Sequence, residues 1–252
     1  MLIDFHTHVL PNMDDGARDV SESVKILERL ASQGVGIVYA TPHFYADMQS
    51  VDEFAGHREK AYESLLSEIE GRDDLPEVRL GAEIMICREL SSFDLSPLKF
   101  ADVPIMLFEY PVNRYHSWYA SLAEKLAATY ACNPMVAHFD RYPWLDKKAL
   151  KTFTKYGEDM LFQMNCDSLN FTRAAKTLSA LIKGGHTVVF GSDSHNIDTY
   201  APSFDTLTAA INGKGVRVGL GRIKPSALLE LIDRSQNEIQ ALAGKNSIGL
   251  IG

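Results

Sequence analysis

Seven short apolar runs punctuate the chain, at residues 2–5, 35–40, 78–80, 104–108, 135–137, 161–164 and 188–190. Four of them have the roughly four to eight residues of a buried strand, and three are one residue shorter. Longer segments of helical spacing lie between them. Residues 21–30 place Val24, Leu27 and Leu30 on one face, with Ser21 available as a cap. Residues 51–69 space Phe54, Ala61, Leu65 and Ile69 in the same way. Residues 118–130, 146–155, 172–183 and 204–211 repeat the pattern. Strands alternating with helices predict βαβ units and a parallel sheet. Seven such units point to a barrel more than to an open sheet. No linker, repeat or low-complexity tract divides the chain, so one domain is expected over residues 1–252.

Composition narrows the class further. With 46 % hydrophobic and 23 % charged residues, the 252-residue chain can bury a full core, which excludes disorder and disulfide-stapled scaffolds. No apolar run approaches the roughly 18 residues of a membrane span, so an integral membrane protein is not expected. The start, Met1-Leu2-Ile3-Asp4-Phe5-His6, has no basic region and does not read as a signal peptide. A net charge of −8 disfavours a nucleic-acid partner, although bound divalent cations would offset part of it. Cys87, Cys132 and Cys166 are widely spaced and form no C-x-x-C, which suits a reducing compartment and predicts a cytoplasmic location.

The chemistry gathers where the strands end. The first expected strand finishes in His6-Thr7-His8, the second in Thr41-Pro42-His43 and the third in Gly81-Ala82-Glu83. The fourth runs into Glu109, the fifth into His138 and the seventh into Asp193-Ser194-His195. In parallel α/β folds these ends face one rim, so the side chains should converge. His6 and His8, at i and i+2, point to the same face and can chelate one ion; Asp193 and His195 repeat that spacing. Glu83 and Glu109 can bridge ions, and Asp15, in the loop Asp14-Asp15-Gly16, adds a hard oxygen. Imidazole and carboxylate without thiolate suit manganese, iron or zinc, and the donors are too many for one ion. Each residue alone has a plainer reading: a core histidine, a turn, a buried ion pair, a helix cap. The ordered set does not. No P-loop, H-E-x-x-H, G-x-S-x-G or C-x5-R loop is present.

The same residues carry a resemblance. His6-Thr7-His8 with Asp14-Asp15-Gly16, Thr41-Pro42-His43, Gly81-Ala82-Glu83, Phe108-Glu109, Ala137-His138-Phe139-Asp140-Arg141-Tyr142 and Ser192-Asp193-Ser194-His195-Asn196 resemble the polymerase-and-histidinol-phosphatase (PHP) superfamily. Within it they are most similar to the bacterial capsular and exopolysaccharide tyrosine-protein phosphatases. The resemblance runs from residue 3 to about residue 200. It implies a distorted (β/α)7 barrel with three divalent ions, manganese first and iron, zinc or magnesium next. His6, His8, Glu83 and Asp193 would hold the first ion, and Glu83, Glu109 and His138 the second. Asp15, His43 and His195 would hold the third. Arg141 matches an arginine that contacts the substrate phosphate.

The implied reaction is attack of metal-activated hydroxide on the phosphotyrosine of a protein. The implied partner is the tyrosine-rich tail of a membrane-attached kinase of polysaccharide biosynthesis. One position departs from the family pattern: Tyr200 stands where a second phosphate-binding arginine is usual. Arg114, Arg173 and Arg222 are candidates to replace it. Phe44, Tyr45, Tyr110, Tyr115 and Trp118 are rim aromatics that could pack on a phenol ring. A histidinol-phosphate phosphatase would use the same centre on an alkyl phosphate. A regulatory homologue would hold metal without turnover. A PHP-type exonuclease is disfavoured by the charge of −8.

Overall fold

The computed structural model describes residues 1–155 and 160–248. The chain opens with β1 (Leu2–Thr7), α1 (Val20–Ser32), β2 (Val35–Ala40), β3 (His43–Phe44) and α2 (Val51–Glu68). Next come β4 (Glu77–Leu80), β5 (Glu83–Met85), β6 (Ile105–Glu109), α3 (Trp118–Thr129), β7 (Asn133–Val136) and α4 (Lys147–Lys155). The rest is β8 (Leu161–Asn165), α5 (Thr172–Lys183), β9 (Val188–Gly191), α6 (Phe204–Asn212), β10 (Val216–Val218), β11 (Gly221–Ile223) and α7 (Pro225–Ile248).

All the main strand pairs are parallel. One sheet has the order β1-β2-β4 and the other β3-β5-β6-β7-β8-β9. Two of the expected strands are each cut in two. Thr41-Pro42 separates β2 from β3, and Gly81-Ala82 separates β4 from β5. The ladder is carried across the cut by Gly81 N–H to the Ala40 carbonyl (2.8 Å) and Glu83 N–H to the Pro42 carbonyl (3.0 Å). His43 and Glu83 therefore do not end strands, as the sequence pattern suggests; they open the short pair β3–β5 and face each other in register.

The last strand of the parallel sheets, β9, returns to the first. Asp193 N–H donates to the His6 carbonyl (2.8 Å), His8 N–H donates to the Ser194 carbonyl (3.0 Å), and Thr7 bridges Ser194 in parallel. With β2/β3 and β4/β5 each counted as one position, the pairings follow the cyclic order that a seven-stranded barrel requires.

Alternation along the strands sorts the core into two layers. Phe5, Tyr39, Ile105, Leu107, Met135, Leu161 and Val189 form one buried cluster, with Ile239 of α7 packed into it. Ile26, Leu27, Leu30, Phe54, Phe108, Val136 and Phe162 belong to the other, under the helices. The inner face turns polar at its C-terminal end. Ile105 and Leu107 lead to Glu109, Leu161 leads to Gln163 and Asn165, and Val189 leads to Asp193. An apolar floor thus carries a polar rim.

Three local readings of the sequence change. Asp19, not Ser21, caps α1, accepting from Glu22 N–H at 2.8 Å from an extended backbone (φ −156°), where a carboxylate also meets the positive end of the helix. The hairpin β10–β11 and α7 were not anticipated. In α7 the buried positions Leu228, Leu231, Ile232, Ser235 and Ile239 carry a helical spacing that lies outside the strand–helix alternation.

Asp4 fastens the return of β9 to β1. Its buried carboxylate accepts from Ser192 N–H (2.9 Å), Ser192 Oγ (2.6 Å) and His6 N–H (3.1 Å). Asp4→Ala leaves these donors unpaired in the interior and is expected to lower the unfolding free energy by about 2–4 kcal/mol. Urea unfolding of the metal-free protein measures it, and a loss below about 0.5 kcal/mol, the scatter of surface substitutions, would show that the seam does not depend on Asp4.

Candidate metal centre

The two histidines of β1 lead into the centre. His6 and His8 are fully buried and their Nε2 atoms lie 3.2 Å apart. The following Asp-Asp-Gly turn divides its work. The Asp14 carboxylate turns inward, 2.7 Å from His8 Nδ1, and accepts from His43 N–H and Gly16 N–H, each at 2.9 Å. Asp15 remains 74 % exposed and leans over the centre, 3.3 Å from His195 Nε2 and 3.6 Å from His43 Nε2. Gly16 is required here, because a Cβ would sit 2.3 Å from the His8 carbonyl oxygen and 2.5 Å from His8 Cβ.

Glu83 is the hub. Its Oε2 lies 3.1 Å from His6 Nε2, 3.4 Å from His8 Nε2 and 3.0 Å from His43 Nδ1, and its Oε1 lies 2.9 Å from His138 Nε2. Glu109 reaches His138 Nε2 at 3.5 Å and His43 Nδ1 at 3.8 Å. Asp193 Oδ1 lies 3.5 Å from His8 Nε2, 3.7 Å from His6 Nε2 and 3.8 Å from His195 Nδ1. All nine ligand candidates read from the sequence are thus brought together. Donor atoms of eight of them form three groups that could each hold an ion: His6, His8 and Asp193; His43, Glu83 and Glu109; and His8, Asp15, His43 and His195; His138 stands outside these groups, against Glu83 and Glu109.

The donor set fits divalent cations on its own chemistry. Glu83 Oε2, Glu109 Oε2 and His43 Nδ1 are buried without a hydrogen-bond partner. His43 Nδ1 and Glu83 Oε2 are close, but they are not aligned for a hydrogen bond. Buried polar atoms that miss one another are costly, and a shared cation relieves the cost.

A supporting layer comes from β8, the one expected strand without a ligand at its end. Gln163 Oε1 lies 3.0 Å from His6 Nδ1 and accepts from His138 N–H, while Gln163 Nε2 donates to Asn165 Oδ1 (3.0 Å). Asn165 Nδ2 donates to Asp193 Oδ2 (2.9 Å). Such partners orient metal ligands. Two amides at i and i+2 in an otherwise apolar run were the available signal. Two candidate ligands also hold left-handed backbone, His138 (φ 29°) and Asp193 (φ 52°), a strain that accumulates at functional sites.

The protons of the metal-free centre follow from this packing. Burial alone pulls the His8 imidazole down, but Asp14, Asp193 and Glu83 override it and raise its pKa well above the ordinary value. Burial also opposes protonation of His138, and hydrogen bonding to Glu109 and Glu83 nevertheless lifts it to about 10. His43 is raised by Glu83 against its burial. Glu83 and Asp193, though buried, are held well below the usual carboxylate range by the surrounding imidazoles. His195 moves down, through burial and the neighbouring His8 charge.

Beside the centre lies a cavity of about 310 Å³ lined by Arg141, Asn165, Asp167, Phe171, Arg173, Asp193 and Tyr200, among others. Arg141 Nη1 donates to Asp193 Oδ2, with its side chain 47 % exposed. Of the three arginines considered as replacements at position 200, Arg173 lines this cavity and bonds the Tyr142 carbonyl; Arg114 and Arg222 do not line it. The expected rim aromatics divide. Phe44 and Tyr110 are buried in the core, so they cannot meet a substrate. Tyr45 lies against His43, Tyr115 against Trp144, and Trp118 lies under the Arg88 guanidinium.

The family model described as capsular polysaccharide synthesis, CpsB/CapC, matches residues 2–220. Tyrosine-protein phosphatase YwqE of Bacillus subtilis is 28 % identical over 205 residues, 79 % of each chain. Tyrosine-protein phosphatase CpsB of Streptococcus agalactiae is 24 % identical over 218 residues, 80 % of this chain and 86 % of the relative. Among solved structures, a match described as YwqE from Bacillus subtilis and CpsB from Streptococcus pneumoniae, unique metal-dependent tyrosine phosphatases, superposes with a TM-score of 0.69. It is 23 % identical and covers 96 % of this chain and 94 % of the other, a likeness of fold.

Two outcomes follow for the centre. Divalent ions must displace the protons held by His8 and His138, so loading at neutral pH should release more than about one proton. Apparent affinity should rise as pH rises and fall in acid. Calorimetric titration with manganese in buffers of different ionisation enthalpy counts the protons, and a count of zero would contradict the assignment. Gly191→Ala places a Cβ 2.7 Å from Gln163 Nε2 and 2.8 Å from His6 Cβ. It should reduce the metal retained after gel filtration while the circular dichroism spectrum persists; full retention would mean that Gly191 does not position His6.

Proposed function

The chain belongs to the CpsB/CapC family of capsular polysaccharide synthesis, and we propose that it is a metal-dependent phosphatase that hydrolyses phosphotyrosine on a protein. The observation that carries this reading is the convergence of five imidazoles and three further carboxylates around Glu83, beside a cavity walled by Arg141. Its relatives YwqE and CpsB bear the name tyrosine-protein phosphatase.

We assign three divalent ions, manganese first. His6, His8, Glu83 and Asp193 would hold one, Glu83, Glu109 and His138 a second, and Asp15, His43 and His195 a third. The donor groups support a shared role for His8 and His43, since each lies in reach of two groups. When bound, the ions supply Lewis acidity that activates water and neutralises charge on the phosphoryl oxygens.

The protein's own groups do the rest. Arg141 spans from Asp193 into the cavity and can turn its planar fork onto two phosphoryl oxygens, an arrangement that lysine does not reproduce. Arg173 lines the same wall and supplies a second positive charge in the absence of an arginine at position 200. Gln163 and Asn165 fix His6 and Asp193 so that the donors need no rearrangement. Tyrosine has a pKa near 10, so the phenolate leaves with less need of a proton than an alkoxide does.

The partner we propose is the tyrosine-rich tail of a membrane-attached kinase of polysaccharide biosynthesis, reached from the cytoplasm. Among the described residues no helix is long and apolar enough to cross a membrane. The net charge of −8 argues against nucleic acid.

One preparation loaded with manganese tests the reading, by kcat/KM on a phosphotyrosine peptide and on histidinol phosphate. The peptide should be strongly preferred. The reverse preference would place the chain with alkyl-phosphate phosphatases, and turnover of neither would leave a metal-binding regulatory protein. Glu83→Ala should abolish turnover, and wild-type rates with manganese supplied would refute the hub. Arg141→Ala should lower kcat/KM by about 10²-fold or more, in the range of a lost transition-state charge donor, with metal content intact. Loss of metal in that variant would show that Arg141 supports the centre instead of the substrate.

A further inference from the structure

The cavity beside Arg141 carries two aromatic rings as well as charge. Phe171 and Tyr200 both line it, and their exposures of 64 % and 62 % exceed those of every other Phe, Tyr or Trp among the described residues.

Phe171 breaks a local rule. It occupies the N-cap of α5 in extended backbone and makes no capping bond, where Ser, Thr, Asp or Asn would pair a free helix N–H. Being exposed, its ring gains nothing from the core in return. A position that forfeits local stability without a packing gain points to a use outside the fold.

Tyr200 is held in place by the loop that carries His195. His195 N–H donates to the Tyr200 carbonyl (3.0 Å), and Asn196 Oδ1 accepts from the N–H groups of Asp198, Thr199 and Tyr200 at 2.8–3.1 Å. The Tyr200 ring stands 5.7 Å from the His195 ring. Its exposed face is therefore fixed relative to the metal centre.

We propose that Phe171 and Tyr200 form the subsite that receives the phenyl ring of a phosphorylated tyrosine, so that this cavity selects aryl over alkyl phosphates. The proposal rests on the phosphatase reading above. With Arg141 bonded to Asp193, the phosphoryl end belongs at the inner wall and the ring, one oxygen farther out, lies beside the two aromatics. Aromatic faces and edges attract beyond the area they bury. About 310 Å³ is at the small end of ligand pockets, which run from roughly 300 to 1,000 Å³, and suits one aryl phosphate side chain. Residue 200 then contributes a ring to the leaving group.

The test compares inhibition of phosphotyrosine-peptide hydrolysis by benzylphosphonate, which carries a ring, and methylphosphonate, which does not. The manganese-loaded wild type is measured beside Phe171→Ala, Tyr200→Ala and Tyr200→Phe. Each alanine variant should raise the benzylphosphonate Ki roughly threefold to tenfold. The ratio of the two Ki values should narrow by the same factor, and Tyr200→Phe should retain the wild-type ratio. An equal rise for both phosphonates, or no rise for either, would overturn the subsite. A Tyr200→Phe variant that behaves like the alanine variant would overturn the part given to the Tyr200 ring. If the wild type fails to hydrolyse the peptide, the phosphatase reading falls. Calorimetric binding of the two phosphonates to the loaded variants then still decides whether the cavity prefers a ring.

Discussion

A carboxylate that water cannot reach must be neutralised by its surroundings, and for the buried Glu83 those surroundings are imidazoles. Three imidazole nitrogens stand within 3.4 Å of one of its oxygens and a fourth lies 2.9 Å from the other. Without cations the centre balances by holding protons; with cations it balances by coordination. The rest of the local structure follows from keeping those donors in place: the inward turn of Asp14, the amides of β8 and the left-handed backbone at His138 and Asp193.

The topology makes the gathering possible. His6 and His8 come from the first strand, Asp193 and His195 from just beyond the last of the ring, and they meet because β9 returns to β1. The interruption of β2 and β4 seats His43 and Glu83 opposite each other at the start of a second short ladder. The apolar inner cluster beneath, closed by Ile239 of α7, supports the rim from below and keeps water from it. The loops after β7, β8 and β9 contribute Arg141, Phe171 and Tyr200 to one cavity beside the centre.

Much of the centre was legible in the sequence, because metal-competent residues at the ends of parallel strands must converge and period-two spacing tells which of them share a face. That argument found eight of the nine candidates, and the Asp-Asp-Gly turn supplied Asp15. The sequence pattern named Asp15 and gave no role to Asp14, whose carboxylate turns inward against His8. It passed over Gln163 and Asn165, which carry no metal chemistry of their own. Phe44 and Tyr110 looked like rim aromatics and proved to be core, while Phe171 gave no signal and Tyr200 stood out only as a missing arginine. Exposure belongs to the folded surface and has no period. The cap of α1 went to Asp19 over Ser21 for a similar reason, since both are good caps and only the chain's entry angle chooses.

The most direct test of the account is the number of manganese ions held by the native chain, counted by native mass spectrometry of the loaded protein with elemental analysis beside it. Three donor groups around one buried carboxylate predict three ions per chain. A saturating count of one ion or none would contradict a multinuclear centre built on Glu83.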